Sequence, residues 1–161
     1  MFTIGIISDT HGGLPLRVYE IFKDCDHIIH AGDIGAVSLL YELETIAPVT
    51  AVLGNCDFDE YGSDVMPHAT KVFEKVRVFV THRPKDLRAA LAGFGPAALA
   101  PGSPLPQIAI HGHTHKPRKE LNGAVLTLCP GSPNCPRDSA SSVMLLTLDA
   151  GRILGIKIVE I

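Results

Sequence analysis

The opening stretch FTIGIISDTHGGLPLRVYEIFKDC, residues 2–25, decides the fold class. Phe2 to Ile7 is apolar and β-branched, the pattern of a strand buried on both faces, and it ends at Ser8, Asp9 and Thr10. Apolar residues then return at helical spacing within Leu14 to Cys25, namely Leu16, Tyr19, Ile21 and Phe22, with Pro15 where a helix can begin. The unit reads strand, loop, helix, and it recurs. His27 to Ala31 repeats the strand and stops at Gly32 and Asp33, Val37 to Ile46 repeats the helix before Pro48, and Val49 to Leu53 is a third strand ending at Gly54, Asn55, Cys56 and Asp57. Successive βα-like units predict a sheet whose first strands run parallel beneath helices.

The second half changes character. Lys71 to Phe73 and Val76 to Val80 read as paired strands around Glu74 and Lys75, the second running into Thr81 and His82. Pro84 to Leu91 reads as a short helix, and GFGPAALAPGSPLP after it as a surface loop without periodicity. Ile108 to Ile110 is another strand, Leu121 to Leu128 contains an Asn122-Gly123 hairpin turn, and Val143 to Val159 folds around Asp149-Ala150-Gly151. The expectation is a two-sheet α/β sandwich of mixed strand order, forming a single domain over residues 1–161.

Bulk properties narrow the function classes. Hydrophobic residues make up 46% of the chain and charged residues 19%, and the net charge of -3 is spread without long runs, so the basic surface that replaces phosphate counterions in nucleic-acid binders is missing. The N-terminus lacks a charged leader and a signal-peptide core, and no stretch approaches a membrane span. Cys25, Cys56, Cys129 and Cys135 form neither a CxxC pair nor a dense disulfide pattern, which places reduced thiols in the cytoplasm.

Chemistry-bearing residues fall just past the carboxyl ends of the strands: Asp9 and His11, Asp33, Asn55, His82, and the histidines of IAIHGHTHKP, residues 108–117. In α/β sheets that edge is where ligands bind, because side chains leaving adjacent strands converge there. Two carboxylates, an amide oxygen and several imidazoles suit divalent Mn, Fe or Zn, and they suffice for two ions if one carboxylate bridges them. Each piece alone has a plainer reading: a helix cap beside a surface histidine for Asp9-Thr10-His11, ordinary turns for Gly32-Asp33 and Gly54-Asn55, a satisfied or exposed histidine for His82. Gly112-His113-Thr114-His115 is the strongest single element, since alternate residues of an extended segment point the same way.

The order DxH, GD, GNxD, a lone His after a strand, then GHTH resembles the calcineurin-like metallophosphoesterase family, in particular its small single-domain bacterial and archaeal phosphodiesterase branch. The resemblance runs from Asp9 to the Pro130-Gly131-Ser132 segment. It implies a four-layer αββα sandwich of two mixed sheets, with a dinuclear site on one edge. It further implies that Asp9, His11, Asp33 and His115 hold one ion, and that Asp33, Asn55, His82 and His113 hold the other, with Asp33 as the bridge. Manganese is the first expectation for the ions, with iron, zinc or nickel as alternatives. The implied reaction is phosphodiester hydrolysis by in-line attack of a hydroxide bridging the ions, Asp33 and Asn55 positioning the reactants. The implied partner is a small phosphate ester, and association of relatives into dimers or larger assemblies leaves a homo-oligomer open.

Two residues depart from the family pattern. Cys56 stands where many members have a histidine that protonates the leaving group. A thiol is a poorer partner for an alkoxide, so the change points to diesters or activated esters with good leaving groups, the plainer reading of Cys56 being a small filler behind Asn55. After His82 the family often continues with glycine, whereas this chain has Arg83-Pro84; Arg83 reads as a solvated loop residue, with bidentate phosphate binding as the other reading. The alternative function is a protein-interaction scaffold like the retromer vacuolar sorting subunit, which shares the fold with a degraded metal site and whose corresponding segment Asp57-Phe58-Asp59-Glu60 resembles. Within IAIHGHTHKP the family pattern divides the histidines: His113 and His115 read as ligands, while His111, on the strand, reads with His27, His30 and His68 as structural or at most as a support behind the ligands.

Overall fold

Strand β1 (Phe2–Ile7) shows how the layers arise. Side chains alternate across a strand, so Ile4 and Ile6 turn to one face and Gly5 and Ile7 to the other, and all of the isoleucines are fully buried. A Cβ on Gly5 would meet the Phe22 ring at 2.9 Å, so the glycine is what lets the first helix lie this close to the sheet. The computed structural model describes residues 1–161. After β1 come α1 (Leu16–Phe22), β2 (His27–His30), α2 (Val37–Glu44), β3 (Val49–Ala51), β4 (His68–Phe73), β5 (Val76–Thr81), α3 (Pro84–Leu91) and β6 (Ile108–Ile110). The hairpins β7 (Pro117–Asn122) with β8 (Val125–Pro130), and β9 (Ser142–Asp149) with β10 (Arg152–Glu160), complete the chain.

The strands form two five-stranded mixed sheets, in the orders β10-β9-β1-β2-β3 and β4-β5-β6-β8-β7. β1, β2 and β3 run parallel in the first, and β5, β6 and β8 run parallel in the second. Between the sheets lies one apolar cluster, with Ile4, Ile6, Ile29 and Leu146 from the first sheet against Val78, Val80, Ile108 and Leu128 from the second. Val18 and Phe22 of α1 and Leu39 and Leu43 of α2 cover the outer face of the first sheet, while Leu87 and Ala90 of α3 cover Phe79 and Ala109 on the second. The result is the expected αββα layering. Each such fully buried side chain contributes about 1.5–3 kcal/mol, and both sheets are covered because their central strands are parallel and apolar on each face.

Element types match the sequence reading and several boundaries do not. The first helix occupies Leu16–Phe22 rather than Leu14 to Cys25, because Pro15 caps it from outside and the Asp26 amide is already donating to Thr3 O at 2.8 Å to begin β2. β4 starts at His68 and β7 at Pro117, earlier than expected. Both are edge strands whose side chains face mostly solvent, so apolar alternation does not mark them and backbone pairing alone sets their length. The turn of the β7–β8 hairpin is centred on Gly123-Ala124, one residue beyond the expected Asn122-Gly123, with Gly123 at φ 61. No helix is long and apolar enough to cross a membrane.

Candidate metal centre

The carboxyl ends of β1, β2, β3, β5 and β6 open onto one edge, and their loops are tied together there by backbone bonds. The amides of Asp9, His11 and Gly12 donate to the carbonyls of Gly32, Asp33 and Ile34 at 2.9, 3.0 and 2.7 Å, joining the first two loops beyond the last ladder pair. The Asp57 carboxylate joins the second loop to the third, accepting from the amides of Ile34 and Gly54 at 2.9 and 2.8 Å and from the Tyr61 hydroxyl at 3.1 Å. From the last loop Ser132 Oγ donates to Asp9 O at 2.8 Å. Sequence reasoning gave Asp57 and Ser132 no role, although Asp57 closes the GNxD block.

This framework holds Asp9, His11, Asp33, His113 and His115 in left-handed backbone, with φ of 54, 46, 54, 69 and 58°. Such conformations are costly for residues with a Cβ and gather at functional sites. They also correct the expectation for GHTH: the segment is not extended, since the Thr114 amide turns back onto Gly112 O at 2.8 Å, and His113 and His115 reach the edge through separate turns. Nor does Asp9-Thr10-His11 cap a helix, α1 having Pro15 at its cap and no side-chain bond there.

Asp9 is fully buried; its Oδ2 accepts from Ser8 Oγ at 2.7 Å and the His113 amide at 2.9 Å, while its Oδ1 has no hydrogen-bond donor. Around that oxygen stand His115 Nε2 at 3.2 Å and His82 Nε2 at 3.8 Å. Asp33 Oδ1 accepts from the Cys56 amide at 2.8 Å, and its Oδ2 lies 3.4 Å from His82 Nε2 and 3.9 Å from His11 Nε2. His11 and His115 bring their Nε2 atoms within 3.5 Å, and His113 Nδ1 lies 2.9 Å from Asn55 Oδ1. A carbonyl only accepts, so the contacts of His82 Nδ1 with Ala31 O and of His115 Nδ1 with Cys135 O place a proton on each Nδ1 and leave each Nε2 lone pair facing the carboxylates.

Burial pushes the Asp9 carboxyl up against the opposing pull of His82, Ser8 and His115. Burial acts on Asp33 in the same direction, but the His82 ring and the Cys56 amide outweigh it and hold that carboxyl well below the usual range. For His82 burial favours the neutral ring, and Asp33, Asp9 and the Ala31 carbonyl override it and raise the imidazole. Burial, then the charges of His82 and Arg83, lower His113. Burial and the Asp33 charge raise the exposed Cys56 thiol, which therefore stays protonated at neutral pH.

These atoms fit divalent cations. Ligand atoms around one ion bound at about 2.1 Å lie roughly 3.0–3.4 Å apart, and the separations above straddle that range. Asp9, His11 and His115 form one close group, and Asp9, Asp33 and His82 another. A buried acceptor without a donor is costly, and the unpartnered Asp9 Oδ1 and His82 Nε2 have a cation as their natural partner. Ring N–H groups donated to backbone carbonyls are the usual support of metal-binding histidines.

The other sequence candidates separate from this cluster. His111 lies one residue beyond β6, not on it; its buried ring meets Gly112 O through Nδ1 at 2.8 Å and Arg118 through Nε2 at 3.3 Å, and burial lowers it to about 4. His27 bonds Thr50 Oγ1 at 2.9 Å and His30, behind the cluster, bonds Thr10 Oγ1 at 2.9 Å; neither belongs to the close ligand groups. Cys56 is exposed beside Asn55, not a buried filler, and Arg83 is half-buried with its Nε inaccessible, not a solvated loop residue.

A family model described as the calcineurin-like phosphoesterase superfamily domain matches residues 2–151. The probable metallophosphoesterase of Methanothermobacter thermautotrophicus is 38% identical over 156 residues, covering 93% of this chain and 88% of that protein. Phosphodiesterase YfcE of Escherichia coli is 30% identical over 160 residues, covering 85% and 82%. The structure of Vps29 from Entamoeba histolytica complexed with zinc superposes with a TM-score of 0.73 over 99% of this chain and 98% of that one, at 18% identity, a likeness of fold alone. The matched span takes in every loop that brings a carboxylate or imidazole to the edge, and it shows that the chain belongs to the calcineurin-like phosphoesterase superfamily.

Proposed function

We propose that this chain is a phosphodiesterase working with two divalent ions, manganese first among them, as one domain over residues 1–161. Its relatives are named metallophosphoesterase and phosphodiesterase, and the chain is a hydrolase acting on phosphate esters in a metal-dependent family. The observation that carries the finer reading is the pair of unpartnered buried atoms, Asp9 Oδ1 and His82 Nε2, facing one another across the edge at 3.8 Å with Asp33 Oδ2 beside them. Asp9, His11, Asp33 and His115 would hold one ion, and Asp33, Asn55, His82 and His113 the other. Ions held there would supply an ionised water for in-line attack and positive charge for the phosphoryl oxygens.

The chain's own groups do the rest. Asp33, fixed by the Cys56 amide, keeps its carboxylate ionised between the two ligand groups. The Asn55 amide, on the exposed rim, donates one N–H to Cys56 Sγ at 3.4 Å and has the second to offer a phosphoryl oxygen. Cys56 retains its proton and can pass it to a leaving oxygen, although a thiol serves a poor leaving group badly. We therefore read aryl diesters and other activated esters as better substrates than alkyl monoesters. Four free thiols, two of them exposed, agree with a reducing compartment such as the cytoplasm.

The test is turnover of bis(p-nitrophenyl) phosphate, p-nitrophenyl phosphate and an alkyl monoester across a manganese titration, with bound metal counted. His113→Ala and His115→Ala abolish manganese-dependent turnover in this reading, while His111→Gln only reduces it. A protein that binds two ions yet leaves diesters and monoesters untouched would be a scaffold of the Vps29 kind. Equal loss of metal from all three histidine variants would overturn the assignment of ligands.

A further inference from the structure

A cleft of about 410 Å³ extends from the edge of the metal centre. Asn55 and His82 stand at one side of it, Leu53, Pro67, Pro96 and Ala97 supply apolar wall, and Arg83 lines it next to His82. Pro96 and Ala97 belong to the loop after α3, which thereby forms part of the rim. Arg83 is set rigidly: Pro84 follows it, its backbone is extended, and its carbonyl accepts from the Asp86 and Leu87 amides at 3.1 Å each. Arg17, Arg118 and Arg152 each meet a carboxylate; Arg77, Arg83, Arg88 and Arg137 meet none, and of these Arg83 alone has a buried Nε without an acceptor. The cleft's own carboxylates do not supply one, since Asp57 is engaged by Ile34, Gly54 and Tyr61 and Asp86 makes no ion pair. A half-buried guanidinium, with its Nε lacking an acceptor, beside a cleft with an apolar wall suits an oxyanion carried on an organic body.

We propose that this cleft receives the second arm of the diester and that Arg83 binds a phosphoryl group carried on that arm. The substrate class is then a diester with a further terminal phosphate, as in an oligonucleotide fragment or another phosphorylated small ester. The proposal rests on the diesterase reading for what sits at the metal-centre end of the cleft.

Two chromogenic probes with the same leaving group test it: the p-nitrophenyl ester of thymidine 5′-phosphate, and the same ester bearing a 3′-phosphate. The wild-type protein favours the 3′-phosphorylated probe by about tenfold or more in kcat/KM, Arg83→Gln brings that ratio close to one, and Arg83→Lys falls between because it keeps the charge without the fork. Calorimetric binding of thymidine 3′,5′-bisphosphate reads the same subsite without turnover and weakens about tenfold in Arg83→Gln. Equal turnover of both probes, with unchanged bisphosphate binding in the variant, overturns the subsite and leaves the diesterase reading standing. No turnover of either probe, with binding that still depends on Arg83, overturns the reaction and supports the subsite.

Discussion

Both ends of the sheets place non-glycine residues in left-handed backbone, for opposite reasons. At the hairpin end Glu74 and Lys75, with φ of 47 and 66°, and Ala150, with φ of 46°, are exposed turn residues. Two-residue turns with positive φ match the strand twist, so hairpin pairing offsets their cost. At the metal end Asp9, Asp33 and His115 take φ of 54, 54 and 58° while buried, outside any regular turn. Strain of this kind costs about 1–3 kcal/mol per residue, and there it is held by bonds converging from several loops. The hairpin end tolerates local change; the metal end is a single cross-braced unit.

Removing Asp33 is the largest perturbation that should separate the two ends. Asp33→Ala takes away the carboxylate nearest both His82 and His11, and manganese-dependent diester turnover falls by about 1,000-fold, judged from the effect of deleting a preorganised electrostatic group. Bound metal falls with it. Glu74→Ala at the hairpin end changes neither. Turnover of Asp33→Ala within tenfold of wild type would remove Asp33 from the centre of the site.

A single methyl group probes the same contrast through packing. A Cβ on Gly54 would lie 2.0 Å from Asp33 Oδ1 and 2.2 Å from its amide, whereas one on Gly123 has nothing within 4 Å. Gly54→Ala must displace the Asp33 loop, and it should cost on the order of 100-fold in manganese-dependent turnover, as loss of ligand support does. Gly123→Ala pays only for its positive φ, about 1 kcal/mol in denaturant unfolding with turnover unchanged. Similar behaviour of the two variants would mean that the metal end is no more tightly braced than a hairpin.

Asp57 tests whether bracing between loops, as distinct from ligand identity, supports metal affinity. Asp57→Asn keeps one acceptor oxygen and loses the other, loosening the Ile34 and Gly54 amides together. The expected effect is a 10- to 100-fold rise in the manganese concentration needed for half-maximal turnover, an order-of-magnitude figure for outer support of ligands. An unchanged manganese dependence would show that the backbone bonds of Asp9, His11 and Gly12 suffice.

What the sequence discloses follows the same division. β1 to β3 and their helices were legible because burial on both faces writes long apolar runs, and the loop residues after them stand out as polar interruptions. β4 and β7 were only half legible, since an edge strand is stabilised by backbone pairing that leaves no apolar period. Asp9, Asp33 and His82 could be found as donor types at strand ends, but not the turns that aim His113 and His115, nor the role of Asp57, which acts entirely through amides of residues distant in sequence. Arg83 was misjudged because exposure of a residue next to a proline depends on the rim loop and cleft that only the folded chain supplies.

A smaller effect than the loss of a ligand concerns a brace behind the metal end. His30 is wholly buried; the Gly32 amide donates to its Nδ1 at 3.2 Å, so its proton lies on Nε2, which donates to Thr10 Oγ1 at 2.9 Å, and Thr10 donates on to Ile34 O at 2.8 Å. This chain of bonds links the first two loops and needs a neutral ring, and burial lowers His30 to about 3. Because the folded ring resists protonation while the unfolded one accepts it near pH 6.5, the unfolded state binds more protons between those values, and stability falls as pH drops through that window. From pH 7 to pH 5 the loss from this residue alone is about 2 kcal/mol. His30→Gln is less stable than wild type at pH 7, and in metal-free buffer its deficit narrows by about that amount at pH 5. A deficit that stays constant across the range would mean that His30 already accepts a proton in the folded chain, and the loops would then be joined without it.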